Sequence, residues 1–125
     1  MLFIFYSGIL VLFYVPLDDT SEILKRKFFA AATKLKEKGI EGKLAIVDCS
    51  KNIEWIISLG IISNPALIYY KREHQKDCNY LQEEQAIIDF VIYEGILLYS
   101  NLKFIHSTFQ IPFSILEPDH LLFRL

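Results

Sequence analysis

The 125-residue sequence predicts an α/β domain built on a central mixed β-sheet with flanking helices, in the order βαβαββα. Three observations carry this. Short continuous apolar runs, Ile9–Val15, Leu44–Asp48 and Ala66–Tyr70, have the length and β-branched or aromatic content of strands covered on both faces. Between them lie segments with helical periodicity. Glycine and proline (Pro16, Gly39, Gly42, Gly60 and Pro65) punctuate the boundaries.

The first run, Ile9 to Val15, is closed by Pro16 and reads as a central strand. Asp18, Asp19, Thr20 and Ser21 follow, all residue types that cap helices. Leu24, Phe28, Ala31 or Ala32 and Leu35 then recur at helical spacing up to the stop at Gly39. Acidic residues at its start and Lys34, Lys36 and Lys38 at its end suit the helix dipole. Leu44–Asp48 is the second strand, residues 52–59 a short helix ended by Gly60, and Ala66–Tyr70 the third strand, preceded by Pro65. The polar block Lys71–Asn79 reads as a turn leading to a short strand at Tyr80 and Leu81, which pairs back as an antiparallel hairpin. A helix over Gln82–Glu94, with Ile87, Phe90 and Val91 as its buried stripe, closes the domain. A right-handed crossover sets the first two strands parallel.

Three regions result: an apolar N-terminal segment 1–8, a domain 9–94, and an apolar tail 95–125 that lacks a clear period and is expected to be irregular or poorly ordered. Residues 1–17 carry no charge, whereas 24 of the 28 charged residues fall within 18–94. Seventeen uncharged residues sit at the short end of the roughly 17–25 that span a bilayer. Strand, signal and membrane anchor are all open readings of that stretch; its close at Phe13, Tyr14, Val15 and Pro16 favours the strand, and membrane association is not expected. Thirteen Lys and Arg against fifteen Asp and Glu give a net charge of −2, which supplies no electropositive footprint for nucleic acid.

The strand end with Phe13, Tyr14 and Pro16, the strand end Val47, Asp48 and Cys49, and the loop with Gly60, Ile61 and Pro65 follow one another at a familiar spacing. In this they resemble the thioredoxin-like domains of the protein disulfide isomerase family over roughly residues 9–92. The resemblance implies a thioredoxin-like fold that is N-terminally truncated, because only residues 1–8 stand where the family has a further strand and helix. It also implies a location in the endoplasmic reticulum lumen.

The family's disulfide exchange needs a thiolate at a helix N-terminus and a second thiol to resolve the mixed disulfide. Those two positions correspond to Asp18 and Ser21, with Asp19 and Thr20 between them. The family's tryptophan before the first cysteine corresponds to Leu17, and its buried acidic residue in the central strand to Leu12. Three parts of one mechanism are absent together, so no catalytic residue is expected and Asp18, Asp19, Thr20 and Ser21 are read as a degenerate redox site. Capping explains the same four residues; a hard cation would want about six oxygen ligands and would meet the positive end of the helix.

Two cysteines, Cys49 and Cys78, lack the paired spacing of a zinc site, and His74, His106 and His120 are scattered; no metal or cofactor is expected. Cys49 reads as a small buried hydrophobe and Cys78 as exposed in a polar turn. Pro65 corresponds to the family's cis proline, and an extended peptide can hydrogen-bond to the backbone before it, here Ser63 and Asn64. With Leu17, Ile61 and Ile62 as an apolar rim, the candidate binding residues are Leu17, Ile62, Ser63, Asn64 and Pro65. The expected function is non-catalytic binding of an unfolded or extended polypeptide, or of a protein partner, by a redox-inactive domain of a folding factor. An architectural domain or truncated isoform without independent activity, and a monothiol oxidoreductase using Cys49 or Cys78, are the alternatives.

Overall fold

A computed structural model describes residues 8–51, 53–61, 63–71, 74–101 and 122–125. They form five strands and three helices: β1 (Ile9–Tyr14), α1 (Asp19–Glu37), β2 (Leu44–Asp48), α2 (Ile53–Ser58), β3 (Ala66–Lys71), β4 (His74–Asp77), α3 (Glu84–Asn101) and β5 (Leu122–Arg124). The strands make one mixed sheet in the order β4-β3-β1-β2-β5.

β1 lies at the centre because all six of its residues are apolar and buried, which only a strand covered on both faces permits. It runs parallel to β2, from Leu10 opposite Leu44 to Tyr14 opposite Asp48, and antiparallel to β3, from Ile9 opposite Tyr70 to Phe13 opposite Ala66. The strand alternation sorts the core into two layers. On the first face, Leu10, Leu12, Leu44, Ile46, Leu67 and Tyr69 meet Leu24, Phe28, Ala31 and Leu35 of α1 and Ile87, Ile88, Phe90 and Val91 of α3. On the second, Ile9, Val11, Phe13, Ala45, Val47, Ile68 and Tyr70 meet Ile56 of α2 and Ile61. The rings of Tyr69 and Phe90 meet edge-on at 5.1 Å and tie α3 to the sheet.

α1 has both ends fixed locally. Its C-terminus closes in a Schellman motif: the Ile40 amide donates to the Leu35 carbonyl at 2.9 Å and the Gly39 amide to Lys36 at 2.9 Å. That turn requires the left-handed conformation, which glycine adopts at φ +81° in Gly39. Gly8 is also left-handed, at φ +78°, and a Cβ there would stand 2.2 Å from the Tyr69 hydroxyl, so only glycine lets the chain enter β1 this close to β3.

Three expectations change. The fourth strand is His74–Asp77 rather than Tyr80–Leu81, because the hairpin turns within a few residues of Lys71 and pairs Lys71 with His74 and Ile68 with Asp77. Its four polar residues are exposed, as befits an edge that must not recruit another sheet. The closing helix continues past Glu94 to Asn101. Within the tail, Leu122–Arg124 forms β5, an antiparallel edge strand on β2; residues 102–121 lie outside the described residues. Ile9–Tyr14 is strand, and residues 1–7 are likewise outside the described set, so the signal and anchor readings of that part are not addressed. Among the described residues no helix is long and apolar enough to cross a membrane.

Candidate functional site

The candidate site lies where β1 hands over to α1. Asp18, with φ −83° and ψ 125°, is the N-cap of α1, and its carboxylate accepts from the Ser21 amide at 2.9 Å. Ser21 is fully buried and its hydroxyl accepts from the Val15 amide at 3.2 Å. The Glu22 carboxylate accepts from the Leu17 amide at 3.3 Å, and the Asp18 amide donates to the Val15 carbonyl at 3.3 Å. The oxygens of Asp18 and Ser21 are thus spent on holding the turn. Asp19 and Thr20 are exposed.

This network presents Leu17 outward. Its φ is +68°, the left-handed region that a branched side chain avoids, and it is 93% exposed. A bulky apolar residue held in that conformation and left in water is placed at local cost, which marks it for attention as a contact residue.

The loop before β3 comes to the same end of the sheet. Since Ala66 pairs with Phe13, the next position back, Pro65, stands beside the end of β1, three residues from Leu17 in the β1–α1 turn. The Asn64–Pro65 bond is cis, and Ser63 and Asn64 are exposed while Pro65 is half-buried. The register therefore brings Leu17, Ser63, Asn64 and Pro65 to one end of the sheet. Ile62 lies outside the described residues. Ile61 does not belong to the rim: it is buried in the second-face core.

Two apolar residues on α2 join the surroundings that sequence reasoning missed. Ile53 and Ile57, one helical turn apart, are 62% and 63% exposed. α2 follows β2, which ends at the same end of the sheet as its parallel neighbour β1. The signal was present in the stretch Ile53–Leu59, where apolar positions outnumber what one buried stripe of a six-residue helix can use. Lys25 supplies a positive charge nearby, its ammonium 4.4 Å from the centre of the Tyr14 ring.

Both thiols are buried and free. Cys49 is buried in the second-face core, and burial, reinforced by the neighbouring Asp48 carboxylate, pushes its thiol from 9.0 up to about 11. Cys78 is buried rather than exposed, because the tight β3–β4 hairpin ends at Asp77 and turns Cys78 into the first-face core, its amide donating to the Leu67 carbonyl at 2.8 Å. Burial raises its thiol as well. The two cysteines belong to opposite faces of the sheet and both are free.

Comparison with known proteins returns no matching family model and no matching curated protein sequence. Solved structures do match. The first two thioredoxin domains of Saccharomyces cerevisiae Eps1p align at a TM-score of 0.59 with 17% identity, over 73% of this chain and 37% of that one. The zinc-bound form of human ERp44 aligns at 0.55 with 21% identity, over 71% of this chain and 26% of ERp44. The Trx4 domain of ERdj5 aligns at 0.52 with 21% identity, over 78% of this chain and 82% of that domain. The chain thus spans about a quarter of the ERp44 chain it matches. Its fold is thioredoxin-like.

Proposed function

We propose that this chain is a redox-inactive thioredoxin-like domain that binds an extended polypeptide without covalent chemistry. The observation that carries the reading is Leu17, 93% exposed at φ +68° on the end of the sheet that also presents Ser63 and Asn64. An extended segment laid there would bury the Leu17 side chain and lie against the exposed loop of Ser63 and Asn64, with Ile53 and Ile57 available for a second apolar contact. The capping roles of Asp18 and Ser21, and the buried thiols with raised pKa values, support binding over exchange and weigh against a monothiol enzyme. The resemblance to disulfide isomerase domains supports a client that is an unfolded or partly folded chain, in the endoplasmic reticulum lumen.

Titrating an unstructured, apolar-rich peptide into 15N-labelled protein should shift the amide signals of Leu17, Ser63 and Asn64 while leaving those of β4 unmoved. An insulin-reduction assay should show no turnover. Turnover that persists in a Cys49→Ser, Cys78→Ser double variant, or a titration that moves no signal near Leu17, would overturn the proposal.

A further inference from the structure

The exposed Leu17 is flanked by carboxylates. Asp18 and Asp19 follow it directly in the chain, and Glu22 reaches back to accept its amide at 3.3 Å. Across the sheet, Asp48 stands opposite Tyr14, three residues before Leu17. The Cys49 amide donates to the Tyr14 carbonyl at 2.8 Å, so the connection from β2 to α2 starts beside the turn from β1 to α1. Ile53, the first exposed apolar residue of α2, is itself followed by the exposed Glu54. Residues 15–25 and 48–57 thus carry Asp18, Asp19, Glu22, Asp48 and Glu54 against only Lys25 and Lys51, a balance of −3 in a chain whose total is −2. The remainder of the chain is at +1.

These charges are not cancelled where they stand. The described ion pairs, Lys27 with Glu83 and Lys34 with Glu84, join α1 to α3 and use none of the five. The carboxylates of Asp18, Glu22 and Asp48 accept from neutral groups, the amides of Ser21, Leu17 and Ser50 and the Ser50 hydroxyl, and so keep their charge. Among the described residues, the carboxylates of Asp19 and Glu54 make neither a hydrogen bond nor an ion pair. Lys25 is turned to the Tyr14 ring, 4.4 Å from its centre. The positive end of α1 offsets about half a charge, which leaves the balance negative.

We infer that the polypeptide bound at Leu17 is selected for positive charge: an extended segment with Lys or Arg beside the apolar residue that covers Leu17. The inference rests on the peptide-binding reading and names the class of its client. Successive residues of an extended chain rise about 3.3 Å, so a cation one or two positions from the apolar contact comes within reach of Asp18, Asp19 or Glu22. An acidic segment of the same apolar content meets the same balance of charge as repulsion. Exposed charges act over about a Debye length, ~8–10 Å at ordinary ionic strength, so the selection fades with salt while the apolar contact remains.

The test compares two synthetic peptides with the same leucine-centred apolar segment, one flanked by lysines and the other by glutamates. Each is titrated into the whole 15N-labelled chain at low salt and at roughly 0.5 M salt, where the Debye length falls to about 4 Å. At low salt the lysine peptide should bind about tenfold tighter, with the Leu17 and Asp19 amide signals moving, and at high salt the gap should close to about twofold. Asp19→Asn should narrow the low-salt gap roughly two- to threefold. Glu37→Gln removes an equal charge at the far end of α1, about 27 Å away, and should leave the gap as it was. Equal affinity for the two peptides would overturn the charge selection and leave the peptide-binding reading standing. A gap that salt does not change, or that Glu37→Gln narrows as much as Asp19→Asn, would also overturn it, by assigning the preference to something other than these carboxylates. Failure of both peptides to bind would overturn the two readings together.

Discussion

Leu17 sets two demands against each other. The left-handed conformation costs a side chain with a Cβ roughly 1–2 kcal/mol, and glycine would remove that cost while losing about 0.5–1 kcal/mol through its greater freedom in the unfolded chain. The side chain, 93% exposed, contributes almost nothing to the core that would offset the difference. Leu17→Gly should therefore raise stability by a few tenths to about 1 kcal/mol, seen as a higher urea midpoint with an unchanged slope. If Leu17 is a contact residue, the same substitution should weaken peptide binding about tenfold, since an apolar side chain of this size is worth that much when buried. A variant both more stable and unchanged in binding would leave the left-handed leucine without a use.

The start of α1 carries a second trade, between capping and chemistry. Asp18 receives the Ser21 amide and Ser21 the Val15 amide, so each substitution removes a hydrogen bond that the turn depends on. Asp18→Ala should cost about 0.5–2 kcal/mol by denaturant unfolding, and Asp18→Asn, which caps as well, should cost much less. Equal losses in the two variants would point to charge rather than capping. The elements differ in how openly the sequence declares them, and the reason is where their stability comes from. β1, α1, β2 and β3 are specified by their own residues: unbroken apolar runs for the strands, a four-residue rhythm for the helix, and an N-cap and a glycine at its ends. β4 has no such signature, since His74, Gln75, Lys76 and Asp77 are all exposed and become a strand only because β3 offers an edge. The same misjudged hairpin sent Cys78 to the surface in the sequence reading. α3 runs on through Gly95 to Asn101, since an interior glycine costs a helix only about 1 kcal/mol. β5 is three residues long and finds its partner some 75 positions back in the chain, a pairing that no local pattern announces. At the candidate site, Asp18, Ser21 and Pro65 follow from the family resemblance; the surplus of apolar positions in Ile53–Leu59 is legible in the sequence, but which of them stay exposed is not, because that depends on how little of α2 the sheet can cover.

Taken as one molecule, the domain buries acidic protons on both faces of its sheet, and this sets a limit on the alkaline side. Cys49 and Tyr70 on the second face and Cys78 and Tyr69 on the first all have pKa values raised, with burial the largest cause in each case. A group of this kind keeps its proton in the fold at a pH where the unfolded chain has already released it. Its contribution is fully present below the unfolded value, 9.0 for Cys49, and is lost as pH rises toward the folded value of about 11. Lys43 works in the opposite sense, because burial lowers its pKa and the unfolded chain then holds the extra proton, so its term improves as pH rises. Arg124, also lowered by burial, acts in the same sense as Lys43 but titrates mainly above this range, so the four acidic groups decide the sign. The urea midpoint should be level from pH 7 to 8 and then fall by at least roughly 0.5 M by pH 10.5, with Cys49→Ala showing a shallower decline than wild type. A midpoint that stays level to pH 10.5 would mean that these side chains titrate as they do in water, and the two-layered core that encloses them would not be closed.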